Sequence, residues 1–197
     1  MKYLLIDTAN MFFRARHSAH RASDTWTKLG FALHLTMMSA NKVARRFGVD
    51  HVVFALEGRS WRKDHYKPYK ANRAVARGAM SETEAEEDKL FWETYDELTK
   101  YLSTRTNCSV VRCATAEADD IIGTLVESTQ EFGQHEPVMI ISADKDFIQL
   151  QKYDNVSQYS PMTKKLLSDK NPANYLYEHI FRGDSGDGIP NVLSSDT

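Results

Sequence analysis

The sequence predicts an α/β fold with a mostly parallel central sheet and helices on both faces. Short apolar runs alternate with amphipathic segments along the chain, and acidic residues directly follow several of the apolar runs. Hydrophobic residues make up 42% of the 197 residues and charged residues 26%, a composition that argues against wholesale disorder. Strands separated by helices pair in parallel through right-handed crossovers, so we expect a single sheet with both faces covered.

The first half of the chain supplies two predicted strands and one long helix. Tyr3–Ile6 is an apolar run, and His51–Leu56 is a second one. Between them, apolar residues recur at steps of three and four from Leu33 to Phe47, which predicts a helix. Gly48 follows the last of these residues, where a glycine commonly ends a helix.

The second half adds two strands, two helices and a hairpin. The two cysteines lie five residues apart in one predicted strand, so we expect neither a disulfide nor a structural zinc site. The predicted elements are a helix with an apolar face from Phe91 to Leu102, a strand Cys108–Cys113, a helix starting near Ala118 and buried through Val126, a strand Val138–Ser142, and antiparallel strands Val156–Tyr159 and Lys164–Leu167.

The charges are strongly segregated although the net charge is only −2. Residues 59–77 carry a net charge of +6, whereas residues 82–97 carry −7. The sum alone therefore does not indicate a nucleic-acid partner, but the basic segment can bind one. Because there is no apolar stretch of membrane-spanning length and no secretory signal, we expect a cytoplasmic protein.

Acidic side chains follow all four predicted parallel strands. Because the carboxyl ends of parallel strands meet at one edge of a sheet, these carboxylates should converge there and repel one another unless cations compensate. Oxygen ligands without histidine or cysteine suit Mg²⁺ or Mn²⁺. An acid at a helix start is also commonly a simple N-cap, and that alternative stays open for individual residues. The acids are Asp7, Glu57, Glu117, Asp119, Asp120, Asp144 and Asp146, and a further pair, Asp184 and Asp187, lies near the chain end.

The segment from Trp61 to Arg73 alternates aromatic rings with cations. Cations bind phosphates and aromatic faces stack on unpaired bases, so the segment is a candidate nucleic-acid interface, although a solvated basic loop is the plain alternative. Pro68 can open a helix, which would place Lys70 and Arg73 three residues apart on one helix face. The remaining cations here are Arg62, Lys63 and Lys67, and Arg77 follows them.

Five motifs in order resemble the 5′-nuclease superfamily of flap endonucleases and 5′→3′ exonucleases, most closely its bacteriophage ribonuclease H branch. The motifs are LIDTAN, WRKDHYKPYKANR, AEADD, ISADKDFIQL and GDSGDGIPNV. The resemblance implies a PIN-like nuclease core in residues 1–180, with a helical arch inserted at about residues 59–105. Residues 181–197 would begin a helix–three-turn–helix DNA-binding element that the chain does not complete.

The resemblance also implies a site that binds two Mg²⁺ ions, for which Mn²⁺ can substitute. Lys70 and Arg73 would engage the scissile phosphate, and Tyr69 would stack on a flanking base. Arg62, Lys63, Lys67 and Arg77 would bind nucleic acid. The family has an aspartate where Glu57 stands, and a glutamate reaches one methylene further. The implied inner ligands are Asp7, Glu117, Asp119, Asp144 and Asp146, and those of the second cluster are Asp120, Asp184 and Asp187.

The implied activity is hydrolysis of phosphodiesters near 5′ ends, flaps or RNA primers in replication and repair. The implied substrates are DNA with a 5′ flap, nick or single-stranded 5′ end, or an RNA–DNA hybrid, bound by a monomer that works beside replication proteins. One alternative is a weakly active or non-catalytic DNA-binding remnant of the family. The other is a small-phosphoester phosphohydrolase, which needs a second acid shortly after Asp7, where this chain has Thr8 and Ala9.

Overall fold

A computed structural model describes residues 1–18, 24–131 and 135–193 of the chain. Within these residues the strands form one six-stranded sheet in the order β3-β2-β1-β4-β5-β6. Strands β1 to β5 are parallel and β6 is antiparallel to β5, which confirms the predicted fold class and the hairpin. The strands are β1 (Tyr3–Asp7), β2 (His51–Leu56), β3 (Ser109–Arg112), β4 (Val138–Ile141), β5 (Val156–Ser160) and β6 (Lys165–Leu167).

Helices connect the parallel strands and cover both faces of the sheet. A 3-10 helix, Lys145–Lys152, follows β4. Within the described residues the α-helices are α1 (Thr8–Ser18), α2 (Thr25–Phe47), α3 (Arg62–His65), α4 (Ala71–Gly78), α5 (Glu82–Arg105), α6 (Ala118–Glu131) and α7 (Pro172–Arg182). None of these helices is both long and apolar enough to span a bilayer.

The hydrophobic core has two layers, one on each face of the sheet. Along β1, Leu4 and Ile6 pack into the layer formed with α1, α2 and α5, whereas Leu5 packs into the layer formed with α6 and the 3-10 helix. Successive strand side chains point to opposite faces, and both faces of a parallel sheet are covered. Therefore β1 is apolar throughout until it reaches Asp7 at the site edge.

Local signals explain where the long helices begin and end. Gly48 has φ 59 and ψ 52, the left-handed conformation in which glycine ends a helix without strain. Ser81 and Glu84 form a capping box at the start of α5, and the predicted apolar face of this helix, which includes Phe91 and Leu102, is buried. Strand β3 is shorter than predicted, so Cys108 and Cys113 flank it, and both are free thiols.

The segment after Pro68 differs from the sequence prediction. Helix α4 begins at Ala71, and Lys70 is its N-cap residue in the left-handed conformation, with φ 53 and ψ 23. Pro68 therefore lies in a turn before the helix, and Lys70 is not a helical residue on the same face as Arg73. The Lys70 conformation is stabilised by its backbone N–H, which donates to the Asp187 carbonyl at 2.9 Å.

Candidate metal centre and nucleic-acid interface

Two loops at the carboxyl edge of the sheet lie against each other and bring Glu57 and Glu117 into one site. Gly58 N–H donates to the Ala116 carbonyl at 2.9 Å, and neighbouring backbone bonds continue this pairing. A Cβ atom at Gly58 would lie 1.9 Å from the Cys113 carbonyl oxygen, so only glycine allows the two loops this close. Glu57 then accepts from the Ala118 N–H at the start of α6, at 3.1 Å.

Asp7 lies at the centre of the acidic site. Its side chain is 3% exposed and accepts hydrogen bonds from Ser142 Oγ and from the Asn10 N–H, each at 3.2 Å. Burial, followed by the nearby charge of Glu57, raises the Asp7 pKa to about 7. The two hydrogen bonds favour the charged form but do not outweigh burial.

Asp119, in the first turn of α6, faces the same group of acids. Burial and then the charges of Asp7, Glu57 and Asp144 raise its pKa to about 8. The Glu57 pKa is also raised, mainly by burial. These carboxylates resist ionisation first because they are buried and second because they repel one another. A bound cation would remove that penalty.

Glu117 has the opposite electrostatic environment. It is 6% exposed, and it accepts hydrogen bonds from Ser60, Tyr69 and Lys70 at 2.7–2.8 Å. Burial opposes its ionisation, but these hydrogen bonds, led by the one from Lys70, outweigh burial and lower its pKa. Glu117 is therefore a fully charged carboxylate that already has a cationic partner.

The two predicted phosphate-binding cations both reach the acidic site. Lys70 Nζ lies 2.7 Å from Glu117 and 3.6 Å from Asp187, and an Arg73 nitrogen lies 3.1 Å from Asp187. The Arg73 side chain is 59% exposed, whereas the Lys70 side chain is 11% exposed. The structure thus places both cations at the boundary between the acids and solvent.

A second acidic group, formed by Asp146, Asp184 and Asp187, lies beside the C-terminal turn at residues 184–188. Asp144 accepts from the Asp146 N–H at 3.0 Å and so caps the 3-10 helix. Burial and then the charge of Asp144 raise the Asp146 pKa. Asp184 accepts from the Gly186 and Asp187 N–H groups, which orders the turn that carries Asp187.

His179 in α7 belongs to this second group, and sequence reasoning missed it. Its Nε2 atom lies 3.2 Å from Asp146 and 3.9 Å from Asp184, and Tyr175 stacks against its ring. No motif around His179 marks it, and α7 itself was not predicted. The sequence signal that could have located it is Gly183, because a glycine often ends a helix and His179 lies one helical turn earlier. In the structure the Gly183 N–H donates to the His179 carbonyl.

Tyr69 is not placed for the base stacking that we expected. It is 6% exposed, its hydroxyl donates to Glu117 at 2.8 Å, and Lys70 Nζ lies 4.9 Å from its ring centre. Burial of the ring against the site is the physical reason for this correction. Trp61 and Tyr66 are instead 45% and 41% exposed.

The other predicted nucleic-acid contacts divide into three exposed cations and one that is partly buried. Lys63, Lys67 and Arg77 are exposed. The Arg62 guanidinium instead pairs with Asp120 at 2.7 Å and with Glu117 at 3.3 Å. Arg62 therefore faces the acids rather than solvent.

The acids that the sequence placed in one site fall into three environments. Asp7, Glu57, Asp119 and Asp144 repel one another, Glu117 and Asp120 pair with cations, and Asp146, Asp184 and Asp187 surround the C-terminal turn. In residues 1–18, 24–131 and 135–193 no three histidine, cysteine, aspartate or glutamate side chains are grouped so as to hold a metal ion. The chemistry of the side chains still fits a hard divalent cation, because all the mutually repelling groups are carboxylates.

A parallel sheet whose carboxyl edge gathers buried acids beside inserted basic helices defines a resolvase-like α/β domain. The family model for the 5′-3′ exonuclease N-terminal resolvase-like domain matches residues 2–178. The chain belongs to this family.

Relatives and solved structures agree with that assignment. The ribonuclease H of Enterobacteria phage T4 is 33% identical in an alignment of 180 positions that covers 83% of this chain and 54% of that protein. The DNA polymerase I of Chloroflexus aurantiacus is 30% identical in an alignment of 200 positions that covers 92% of this chain and 19% of that protein. This chain thus spans about half the length of the phage relative.

The fold is also that of a bacteriophage T5 protein. Its structure co-crystallised with metal ions has a TM-score of 0.77 at 21% identity, covering 99% of this chain and 71% of that one. A second structure of the same phage protein, there called a flap endonuclease and seen in a pseudo-enzyme–product complex with DNA and metal ions, has a TM-score of 0.74 at 21% identity and the same coverage.

Proposed function

We propose that this chain is a divalent-metal-dependent 5′-nuclease that hydrolyses phosphodiester bonds near 5′ ends, flaps or RNA primers. We assign the activity to residues 1–180 and the start of a DNA-binding element to residues 181–197. The observation that carries the proposal is the group of buried, mutually repelling carboxylates around Asp7 and Asp119, beside the cations Lys70 and Arg73. A phosphodiester nuclease needs acids to hold metal and cations to bind phosphate at one place.

Two Mg²⁺ ions, for which Mn²⁺ can substitute, are the proposed cofactors. Asp7, Glu57, Asp119 and Asp144 would hold the first ion, with Glu117 adjacent. Asp146, Asp184 and Asp187 would hold the second. When bound, such ions lower the pKa of water and stabilise the attacking and leaving oxygens of an in-line displacement. Structures of the bacteriophage T5 relative with divalent metal ions support this choice of cofactor class.

The chain's own cations would position the scissile phosphate. Lys70 and Arg73 now neutralise Glu117 and Asp187, and a substrate phosphate would compete with these carboxylates for the same N–H groups. Negative charge that develops on the phosphate oxygens in the transition state would strengthen their attraction to Lys70 and Arg73. The exposed residues Lys63, Lys67 and Arg77 would bind the nucleic-acid backbone.

The names of two relatives support the proposed substrate class. One is named a ribonuclease H and another a flap endonuclease, so we propose DNA with a 5′ flap, nick or single-stranded 5′ end, or an RNA–DNA hybrid. The exposed rings of Trp61 and Tyr66 offer stacking faces for unpaired bases. We propose that the chain acts as a monomer. We also propose that it works beside replication proteins, because DNA polymerase I relatives align with most of this chain.

A cleavage assay tests the proposal directly. Flapped, nicked and hybrid substrates labelled at the 5′ end are incubated with Mg²⁺, with Mn²⁺ or with EDTA. We expect cleavage that EDTA and the Asp119→Asn substitution both abolish. Binding without cleavage would indicate the DNA-binding remnant, and hydrolysis of p-nitrophenyl phosphate without nuclease activity would indicate the small-phosphoester phosphohydrolase.

A further inference from the structure

Arg62 occupies an unusual position for a cation of the basic segment. Its side chain is 34% exposed, whereas the neighbouring Lys63 is exposed. The two terminal guanidinium nitrogens lie 2.9 and 2.7 Å from the two Asp120 carboxylate oxygens. This is the bidentate arrangement that arginine, but not lysine, makes with a carboxylate.

Asp120 has little capacity left to bind a metal ion. One of its oxygens accepts from the Glu117 backbone N–H at 3.0 Å in addition to the Arg62 bond. The other oxygen accepts from the second Arg62 nitrogen. Three N–H groups therefore donate to Asp120, and a metal ion bound through its remaining lone pair would lie beside the positive charge of the Arg62 guanidinium, which opposes its binding.

The pair contacts Glu117 at both its backbone and its side chain. Asp120 holds the Glu117 N–H, and an Arg62 nitrogen lies 3.3 Å from Glu117 Oε2. The guanidinium also lies over the Trp61 ring, at 4.9 Å from its centre. Loss of Arg62 would leave Asp120 without its cation, and loss of Asp120 would leave the Glu117 N–H and the Arg62 guanidinium without this partner.

We propose that Arg62 and Asp120 form a positioning pair that orients Glu117, and that they are not a DNA contact and a metal ligand. This inference rests on the proposed function, because it assigns the roles of two residues within that site. Residues that orient ligands typically change metal affinity or activity by about 10- to 100-fold when removed. Removing a cation that contacts a phosphate instead reduces the salt slope by about one unit. The salt slope is the slope of the logarithm of the DNA-binding constant plotted against the logarithm of the salt concentration.

The first experiment separates these signatures with three variants. Flap-DNA binding is titrated in Ca²⁺ at several salt concentrations, and cleavage is measured under single-turnover conditions at saturating enzyme. We expect Arg62→Ala to keep the wild-type salt slope and a DNA affinity within about twofold, while the saturated rate falls about 10- to 100-fold. Lys63→Ala should lower the slope by about one unit. Arg105→Ala, an exposed arginine before β3 at the opposite sheet edge, is the matched control.

The second experiment tests whether Arg62 acts through Asp120. The double variant Arg62→Ala/Asp120→Asn should lose no more rate than the stronger single variant, because the two residues work as one unit. Calorimetric titration with Mn²⁺ gives a readout without cleavage, and Arg62→Ala should weaken it about tenfold. Arg62→Lys should not restore either quantity, because a single ammonium cannot bind both oxygens in the same plane.

The outcomes are distinct. A lower salt slope with an unchanged saturated rate in Arg62→Ala would overturn the pair and make Arg62 a DNA contact. Additive losses in the double variant would also overturn it. If the wild-type chain cleaves none of the substrates, the proposed function fails. The pair is then judged by the Mn²⁺ titration and the salt slope, where unchanged Mn²⁺ affinity in Arg62→Ala refutes it.

Discussion

Removing the charge of Asp119 should make the free energy of unfolding of the metal-free protein depend much less on pH. Asp119 and Asp7 have folded-state pKa values of about 8 and about 7, well above the value near 4 that an aspartate has in an unfolded chain. A folded pKa above the unfolded value means that the folded state binds protons more tightly. Each group therefore contributes stability at low pH that is lost as the pH rises through its folded pKa.

The size of the effect follows from these two pKa values. Between pH 5.5 and pH 8, Asp7 alone would lower the free energy of unfolding by roughly 2 kcal/mol, and Asp119 by roughly 3 kcal/mol. The two terms overlap because each charge contributes to the other pKa. We therefore expect the wild type to lose roughly 3–5 kcal/mol over this interval and Asp119→Asn roughly 1–2 kcal/mol.

Urea unfolding in EDTA, followed by circular dichroism at pH 5.5, 6.5, 7.2 and 8, measures this difference. Asp154→Asn is the control, since Asp154 is exposed and precedes β5 at the other edge of the sheet; it should follow the wild-type curve. A wild-type stability that stays flat or rises from pH 5.5 to pH 8 would refute the reasoning. So would an Asp119→Asn curve that is parallel to that of the wild type.

Adding divalent metal at pH 8 completes this test. An ion that binds only the folded state at 100 times its dissociation constant adds about 2.7 kcal/mol. We expect Mg²⁺ or Mn²⁺ to recover much of the stability that the wild type loses with pH, because the ion compensates the carboxylate repulsion. Asp119→Asn should gain far less, and an equal gain would mean that the ion binds elsewhere.

Three further predictions concern the phosphate site, the loop contact and the arch. Lys70→Ala should lower the single-turnover cleavage rate at saturating enzyme, since its charge acts mainly in the transition state; a loss confined to DNA affinity would show that Lys70 contributes to substrate binding and not to the cleavage step. Gly58→Ala should destabilise the fold by about 2–4 kcal/mol and reduce cleavage, because its Cβ would collide with the Cys113 carbonyl. Gly123→Ala, which meets no atom within 4 Å, should stabilise α6 by up to about 1 kcal/mol in the same denaturant titrations. Limited proteolysis should cut between Arg73 and Glu87 in the free protein and be suppressed by flap DNA, whereas full protection without DNA would contradict a mobile arch.

Sequence periodicity predicted the sheet and the helices α2, α5 and α6, and Pro68 indicated a helix near α4, whereas α1, α3 and α7 were not predicted. The apolar runs before Asp7 and Glu57 are strands because a parallel sheet buries both of its faces, and the carboxyl ends of such strands must share an edge. The α5 face from Phe91 to Leu102 was predictable for the same reason, since helical spacing alone identifies a buried stripe. Helix α7 was missed because the structure buries none of its residues.

What the sequence determined by itself is therefore which acids and cations come to the carboxyl edge of the sheet. Only the tertiary structure decided how they pair there. Lys70 meets Glu117 across 47 residues of sequence, and Arg73 meets Asp187 across 114. Those partners depend on how closely the loop at Gly58 packs and on the left-handed turn at Lys70. Residue spacing carries no information about such loop packing, and for that reason the pairing of Arg62 with Asp120 and the burial of Tyr69 became visible only in the folded chain.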